Sequence, residues 1–244
     1  MPQDSIGNEA AVRYDDAASN MFDARMLGPT VELLAELAGD GSALEFGIGT
    51  GRVAIPLAER GVPVAGIELS DTEAAELRAN DKAGRVEVTI GDMATTHVDG
   101  RFRLVYLVYN TIVNLTTQDQ QVACFANAAA HLEPGGHFLI EVLVPPLRRL
   151  PPGEDARVYA RGPGFVGYDH YVDLVAQRVI GHYFEAGDSG LRESSLPWRY
   201  VWPSELDLMA RLAGLSLLHR WADWNRSPFT GESTTHVSVW QRPE

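Results

Sequence analysis

The stretch Ala43-Leu44-Glu45-Phe46-Gly47-Ile48-Gly49-Thr50-Gly51-Arg52 decides the fold. A short apolar strand runs into alternating glycines, and a helix-forming segment, Val53-Ala54-Ile55-Pro56-Leu57-Ala58-Glu59-Arg60, follows. Glycine lacks a Cβ and tolerates positive φ, so such a turn lets the backbone approach a ligand closely. The helix behind it aims free N–H groups at whatever sits above the strand. Strand, glycine turn and helix in this order predict a site for a nucleotide-like cofactor.

Working outward, strand-like segments at Ala43–Phe46, Val62–Ile67, Val86–Ile90, Leu104–Val108 and Phe138–Val144 alternate with helical ones. Most are continuous apolar runs, the pattern of parallel strands buried on both faces. Ser70-Asp71-Thr72-Glu73 reads as a capping box opening the helix after the second strand. Thr116-Thr117-Gln118-Asp119 reads as the same device before the helix that carries Phe125 and Leu132. Pro134-Gly135-Gly136 stops that helix and turns into the fifth strand. The alternation predicts a doubly wound α/β sheet.

From Pro145 to Trp202 the texture changes to Pro, Gly, Tyr and Arg. Arg178–Phe184 and Arg199–Trp202 read as short antiparallel strands, which predicts a β-rich insertion between the fifth strand and the last helix. Ser204 then caps a helix over Glu205–Ala213, with Leu206, Met209, Ala210 and Ala213 on one face, and Gly214 ends it. Ser216–Trp221 and Val237–Gln241 close the chain as an antiparallel pair. The expected organisation is one domain over 1–244: an N-terminal lid at 1–28, a cofactor-binding core at 29–144, a substrate-side insertion at 145–202, and a closing helix and strand pair at 203–244.

Composition narrows the function. A chain of 244 residues suffices for one sizeable α/β domain. The formal net charge is −13, and the longest basic run is Arg148-Arg149, which argues against nucleic acid as a partner. No apolar run approaches the roughly 20 residues that span a bilayer, and Met1 to Asn20 is polar and acidic, without a signal-peptide core. The expectation is a cytoplasmic protein that binds no membrane. A homodimer is compatible with the sequence but not indicated by it. The single cysteine, Cys124, allows no intrachain disulfide, and its Ala-rich helical setting predicts a buried core thiol. The seven histidines show no metal-ligand spacing, so no metal is expected.

The glycine turn alone leaves two cofactors open. Gly49-Thr50-Gly51-Arg52-Val53-Ala54 satisfies the dinucleotide fingerprint, and Glu68, closing the second strand, suits ribose hydroxyls, so a nicotinamide oxidoreductase stays in view. Three features weigh against it. Glu45 precedes the glycines, where a carboxylate favours a cationic amino or sulfonium group and sits badly near a pyrophosphate. Gly91-Asp92-Met93 puts a second acid at the same edge, where Asp92 can accept from an adenine amino group. The chain also closes with a helix and an antiparallel strand pair, not with a second βαβαβ half.

With these residues in place, the sequence resembles the class I S-adenosylmethionine-dependent methyltransferases, roughly over Tyr14 to Val144 and from Pro203 onward. Glu45-Phe46-Gly47-Ile48-Gly49-Thr50-Gly51 is similar to the family's first motif. Glu68 resembles its ribose-binding acid, with Leu69 beside the adenine, and Asp92-Met93 its adenine-binding pair. Leu132-Glu133-Pro134-Gly135-Gly136 resembles the family's turn into strand five. The resemblance implies a Rossmann-like sheet of seven strands with the last antiparallel, S-adenosylmethionine as cofactor and S-adenosylhomocysteine as product. After the fourth strand the chain reads Tyr109-Asn110-Thr111-Ile112-Val113-Asn114 and lacks the Asn/Asp-Pro-Pro-Tyr/Phe signature of enzymes that methylate DNA bases or Gln side chains. The combination is closest to small bacterial methyltransferases acting on metabolites or short peptides, at N, O or C. An enzyme that keeps the fold but uses the cofactor for another reaction, such as a cyclisation, is the alternative.

Methyl transfer from a sulfonium needs alignment more than acid–base help, so no catalytic residue stands out. Candidates are Tyr14 in the lid, for which structural packing weighs as much, Tyr109 past strand four, Glu141 interrupting Phe138-Leu139-Ile140-Glu141-Val142, and His170 and His182 in the insertion. Cofactor contacts are expected from Tyr14, Glu45, Gly47, Gly49, Gly51, Glu68, Leu69, Asp92, Met93, Tyr109 and Asn110. Acceptor contacts are expected from Asn114, Glu141, Trp198 and Arg199. For Glu141 a structural hydrogen bond weighs as much as a role in the site, and for Arg199 and Arg226 surface ion pairs are the stronger reading.

Overall fold

A computed structural model describes residues 24–187 and 190–244. Tyr14 and nearly all of the expected lid lie outside the described residues. Eleven strands and five helices run in the order α1 (Ala24–Ala38), β1 (Ala43–Phe46), α2 (Ala54–Glu59), β2 (Val64–Glu68), α3 (Asp71–Asn80), β3 (Val86–Ile90), β4 (Phe102–Leu107), α4 (Gln118–His131), β5 (Leu132–Leu143), β6 (Ala156–Gly162), β7 (Phe165–Asp173), β8 (Arg178–Gly187), β9 (Gly190–Arg199), α5 (Pro203–Leu212), β10 (Ser216–Trp221) and β11 (Thr235–Gln241) among the described residues. Short 3-10 turns follow β4 at Thr111–Asn114 and β5 at Pro146–Arg149.

Seven strands form one sheet in the order β10-β11-β5-β4-β1-β2-β3. β3, β2, β1, β4 and β5 are mutually parallel, and β11 pairs antiparallel with both β5 and β10. The chain therefore winds outward from β1 in both directions. That reversal opens a crevice above the C-terminal end of β1.

Strand alternation divides the core into two layers. Leu44, Phe46, Val105, Leu107, Phe138 and Ile140 face α4 and α5. Ala43, Val64, Leu104, Tyr106 and Leu139 face α1, α2 and α3. On the first side Phe125, Phe138 and Trp240 pack edge to face at centroid distances of 5.0 and 5.4 Å. Burying each such ring contributes roughly 2–3 kcal/mol. Cys124 sits fully buried in this layer, as its helical setting predicts.

Several boundaries differ from expectation, each for a local reason. Pro134-Gly135-Gly136 does not stand between helix and strand: β5 already starts at Leu132, and Gly135, at φ +73°, marks an irregularity where the register with β4 jumps. α4 is capped one residue later than predicted. Thr117 accepts from the Gln120 N–H, and the Gln120 side chain takes the Thr117 N–H. Ser70 does cap α3 through the Glu73 N–H, but its own N–H goes to Glu68. α5 starts at Pro203 with Trp202 as N-cap, not at a Ser204 cap, because proline's fixed φ suits the first helical position. β3 is only partly buried, as its place at the sheet edge dictates. The insertion holds four strands, β6 to β9, in an antiparallel sheet of their own, and Tyr200 to Trp202 are not a strand.

Candidate active site

The glycine turn hangs over the crevice in the predicted conformation. Gly47, Gly49 and Gly51 have φ of +67°, +56° and +87°. A Cβ at Gly47 would lie 2.6 Å from Thr111 Cγ2, so the turn after β1 and the turn after β4 touch through bare backbone. Glu68, at the end of β2, ties the neighbouring loops together. One carboxylate oxygen accepts from the Gly49 N–H at 2.8 Å and the other from the Ser70 N–H at 2.9 Å. Leu69, next in the chain, is 72% exposed, an apolar side chain held out at the rim. At the end of β3, Asp92 accepts from the Ala94 N–H at 2.8 Å while Met93 is buried in the core.

Glu45 is buried on the α1–α3 side of β1, and the Tyr106 hydroxyl donates to it at 2.9 Å. Their contact follows from register, because Glu45 and Tyr106 are paired positions on β1 and β4. Burial pushes the Glu45 carboxyl up to about 8, against the opposing pull of Tyr106 and of the Arg52 charge. Arg52 also lies over the Tyr109 ring, 5.1 Å from its centroid, and its charge reaches Glu141. Alternation along β1, β4 and β5 thus puts Glu45, Tyr106 and Glu141 on one face, with Arg52 among them.

Glu141 finds the partner that a carboxylate in an apolar strand requires. The Tyr109 N–H donates to it at 2.7 Å, and the Trp224 side chain donates as well. Burial still holds its carboxyl above the ordinary range. The bond explains an unusual backbone. Tyr109 and Asn110 both lie in the left-handed region, at φ +57° and +63°, which costs a residue with a Cβ roughly 1–2 kcal/mol. Glu141 offsets this at Tyr109, and the Asn110 side-chain oxygen accepts from the Leu143 N–H at 2.7 Å. Two consecutive strained residues at the ligand edge of a parallel sheet mark a turn shaped for something other than stability. Asn114 is exposed at the end of that turn.

Arg199, expected among acceptor contacts, is instead internal. It is 3% exposed, pairs with Glu205 at 2.6 Å and donates to the Gln121 side chain. Gln121 in turn donates to the carbonyls of Ile112, Leu115 and Arg199. The group clamps the end of β9 onto the turn after β4. Arg226 pairs with Glu36 at the surface, as expected. His170 and His182 stand on adjacent strands, rings 6.3 Å apart, with His182 within 2.8 Å of the Ser195 hydroxyl and stacked on Tyr168 at 4.8 Å. No contact described for either reaches the cluster of Glu45, Arg52, Tyr109 and Glu141. Trp198 is half-buried and packs on the core.

Arg52, Tyr106 and Thr111 border the candidate site and escape sequence reading. Arg52 sits inside the glycine motif as an unassigned position, and Tyr106 and Thr111 reach the site only through sheet register and a crossover.

This fold and this edge define the class: the chain belongs to the class I S-adenosylmethionine-dependent methyltransferases. Residues 43–136 match the model of the methyltransferase domain. The CcbJ methyltransferase of Streptomyces caelestis is 35% identical, with 88% of this chain and 89% of that one covered and a TM-score of 0.80. The cypemycin N-terminal methyltransferase of a Streptomyces species is 27% identical over 94% of this chain and 97% of its own. The S-adenosylmethionine-bound amino pentose methyltransferase CalS10 of Micromonospora echinaspora shares the fold, at 21% identity, coverage of 94% and 96% and a TM-score of 0.68. The enzyme uses S-adenosylmethionine. No helix among the described residues is long and apolar enough to cross a membrane.

Proposed function

We propose that the enzyme methylates a nitrogen of a small molecule or short peptide in the crevice above β1, β2 and β4, within the cytoplasm and without nucleic acid or membrane as partner. The observation that carries this reading is the Glu68 carboxylate, which accepts from Gly49 and Ser70 and so draws the glycine turn and the β2 loop into one rim. Both oxygens keep lone pairs for ribose hydroxyls. The residues fit S-adenosylmethionine. Gly47 leaves backbone where a Cβ would meet Thr111, Leu69 offers an exposed apolar surface for adenine, and Asp92 has acceptor capacity for an adenine amino group. When bound, the cofactor supplies a methyl group already activated by positively charged sulfur.

What remains for the chain's own residues is positioning. Glu45 holds a proton while the crevice lacks a cation and becomes a carboxylate when one arrives beside it. Glu141 fixes Tyr109 and Asn110 in their strained turn, so that both border the acceptor at a set height above β4. Residues 29–144 with 203–244 form the cofactor half of this division and 145–202 the acceptor side. Nitrogen as the acceptor atom is supported by the relative named for N-terminal methylation of cypemycin. Incubation with methyl-labelled S-adenosylmethionine and a panel of short peptides and amino compounds tests it. Label is expected on amines. Transfer confined to hydroxyl or carbon acceptors would overturn the nitrogen assignment.

A further inference from the structure

One face of the insertion sheet turns to the core. On it Tyr171 and Val179 are buried with Tyr200 against Leu147 and Leu150. Trp198, paired with Val179, packs onto the core cluster that includes Ile112 and Val113, in the turn after β4. The Gln121–Arg199–Glu205 clamp locks β9 to that same turn. This face is therefore held at a fixed distance from the edge that carries Tyr109 and Asn110.

Asp169 lies on it. It is two positions before Tyr171 on β7 and directly opposite Gly181 on β8, so the three share a side. The carboxylate is half-buried and accepts from the Trp198 indole N–H. A Cβ at Gly181 would stand 3.4 Å from Trp198 Nε1 and 3.6 Å from Asp169 Oδ1, so glycine leaves a methyl-sized space beside both. Tyr159 bends over Gly167, the next residue of the same face, where a Cβ would come within 2.6 Å of its ring. Tyr171 sets its ring against Trp198 at 6.3 Å, and its hydroxyl is buried without a hydrogen-bond partner among the described residues.

Asp169 thus has aromatic neighbours but no ion pair among the described residues. Arg157, its cross-strand partner on β6, is exposed and makes no ion pair with it, though its charge draws the Asp169 carboxyl down. Burial pushes the Asp169 carboxyl up to about 6, which leaves it ionised at neutral pH. A partly desolvated carboxylate with no cation in direct contact is costly. A carboxylate with aromatic rings close by suits one chemistry above others, an ammonium ion held by charge and, where a ring face is free, by its quadrupole.

We propose that Asp169, among the rings of Tyr159, Tyr171 and Trp198, binds an ammonium group of the methyl acceptor other than the nitrogen that takes the methyl, which must be a free amine. The proposal rests on the reading of the β1–β4 edge as the methyl-transfer site, and it makes Asp169 a determinant of acceptor class. A structural role, in which Asp169 only pins Trp198, predicts no preference for charge in a ligand.

The test is a ligand-observed NMR titration of the full chain, saturated with S-adenosylhomocysteine, using benzylammonium and its uncharged isostere benzyl alcohol. Wild type is expected to bind benzylammonium at least tenfold tighter. Asp169→Asn, nearly the same shape, is expected to bring the two ligands within twofold of each other, with melting temperature and S-adenosylhomocysteine affinity unchanged. Equal binding of both probes by wild type, absence of benzylammonium binding, or a preference that survives in Asp169→Asn would overturn the proposal. Failure of wild type to bind S-adenosylhomocysteine would instead overturn the cofactor reading on which it rests.

Discussion

Replacing Glu68 by alanine tests the rim at its most connected point. The side chain is 7% exposed and accepts two backbone N–H groups, at 2.8 and 2.9 Å, from the loops after β1 and β2. Hydrogen bonds to a charged acceptor contribute about 1.5–3 kcal/mol each, and orphaned N–H groups add their own cost. Water entering the vacated space returns part of this, so a net loss of about 3 kcal/mol is the working figure. For a chain of this length each kcal/mol moves the midpoint by about 2–4 °C, which gives a fall of roughly 6–12 °C. Loss of two ribose contacts of similar strength lowers S-adenosylmethionine affinity about 100-fold. Differential scanning fluorimetry and calorimetric titration read the two effects separately. A variant that melts within about 2 °C of wild type would refute the bridging argument. One that melts lower but binds the cofactor normally would remove Glu68 from the site.

Gly47→Ala puts a Cβ at φ +67° and 2.6 Å from Thr111 Cγ2, so cofactor affinity should fall more than about tenfold. Adding Thr111→Ser, which deletes that methyl group, should restore part of it in the same titration, and an absence of rescue would count against the contact. Glu45, raised from 4.5 to about 8, binds a proton in the folded chain that the unfolded chain has lost. Its contribution to stability is therefore full below pH 4.5 and disappears as pH rises through about 8. The melting temperature of wild type relative to Glu45→Gln should decline across that window, and a flat difference would contradict the burial argument. Because burial both hides Cys124 and pushes its thiol up, a disulfide reagent such as DTNB should label it only at the rate of global unfolding. Rapid labelling of the native chain would mean that α4 opens locally.

The turns at the C-terminal edge of the sheet were legible because their residues are contiguous. Glu45 to Gly51, Glu68-Leu69 and Asp92-Met93 each fall where a short apolar strand ends, and strand ends are what sequence periodicity marks best. Contacts made by register were not legible. Nothing in the sequence says that Tyr106 sits beside Glu45, or that Glu141 reaches back to the Tyr109 N–H, because each requires knowing that β1, β4 and β5 are neighbours. The insertion was read as two strands and has four, because its strands are half-exposed and carry Gly and Pro, which blurs the alternation. Arg199 shows the same limit from the other side. An arginine in a polar, aromatic stretch reads as a surface or ligand residue, and only the fold reveals that Gln121 and Glu205 converge on it.

The most direct test of the central claim is a parallel calorimetric titration of the protein with S-adenosylmethionine, S-adenosylhomocysteine and NAD. Binding of the two adenosyl ligands with one-to-one stoichiometry, and none of NAD, is the result expected from a buried Glu45 and a Glu68-bridged rim. Binding of NAD without either adenosyl ligand would contradict it.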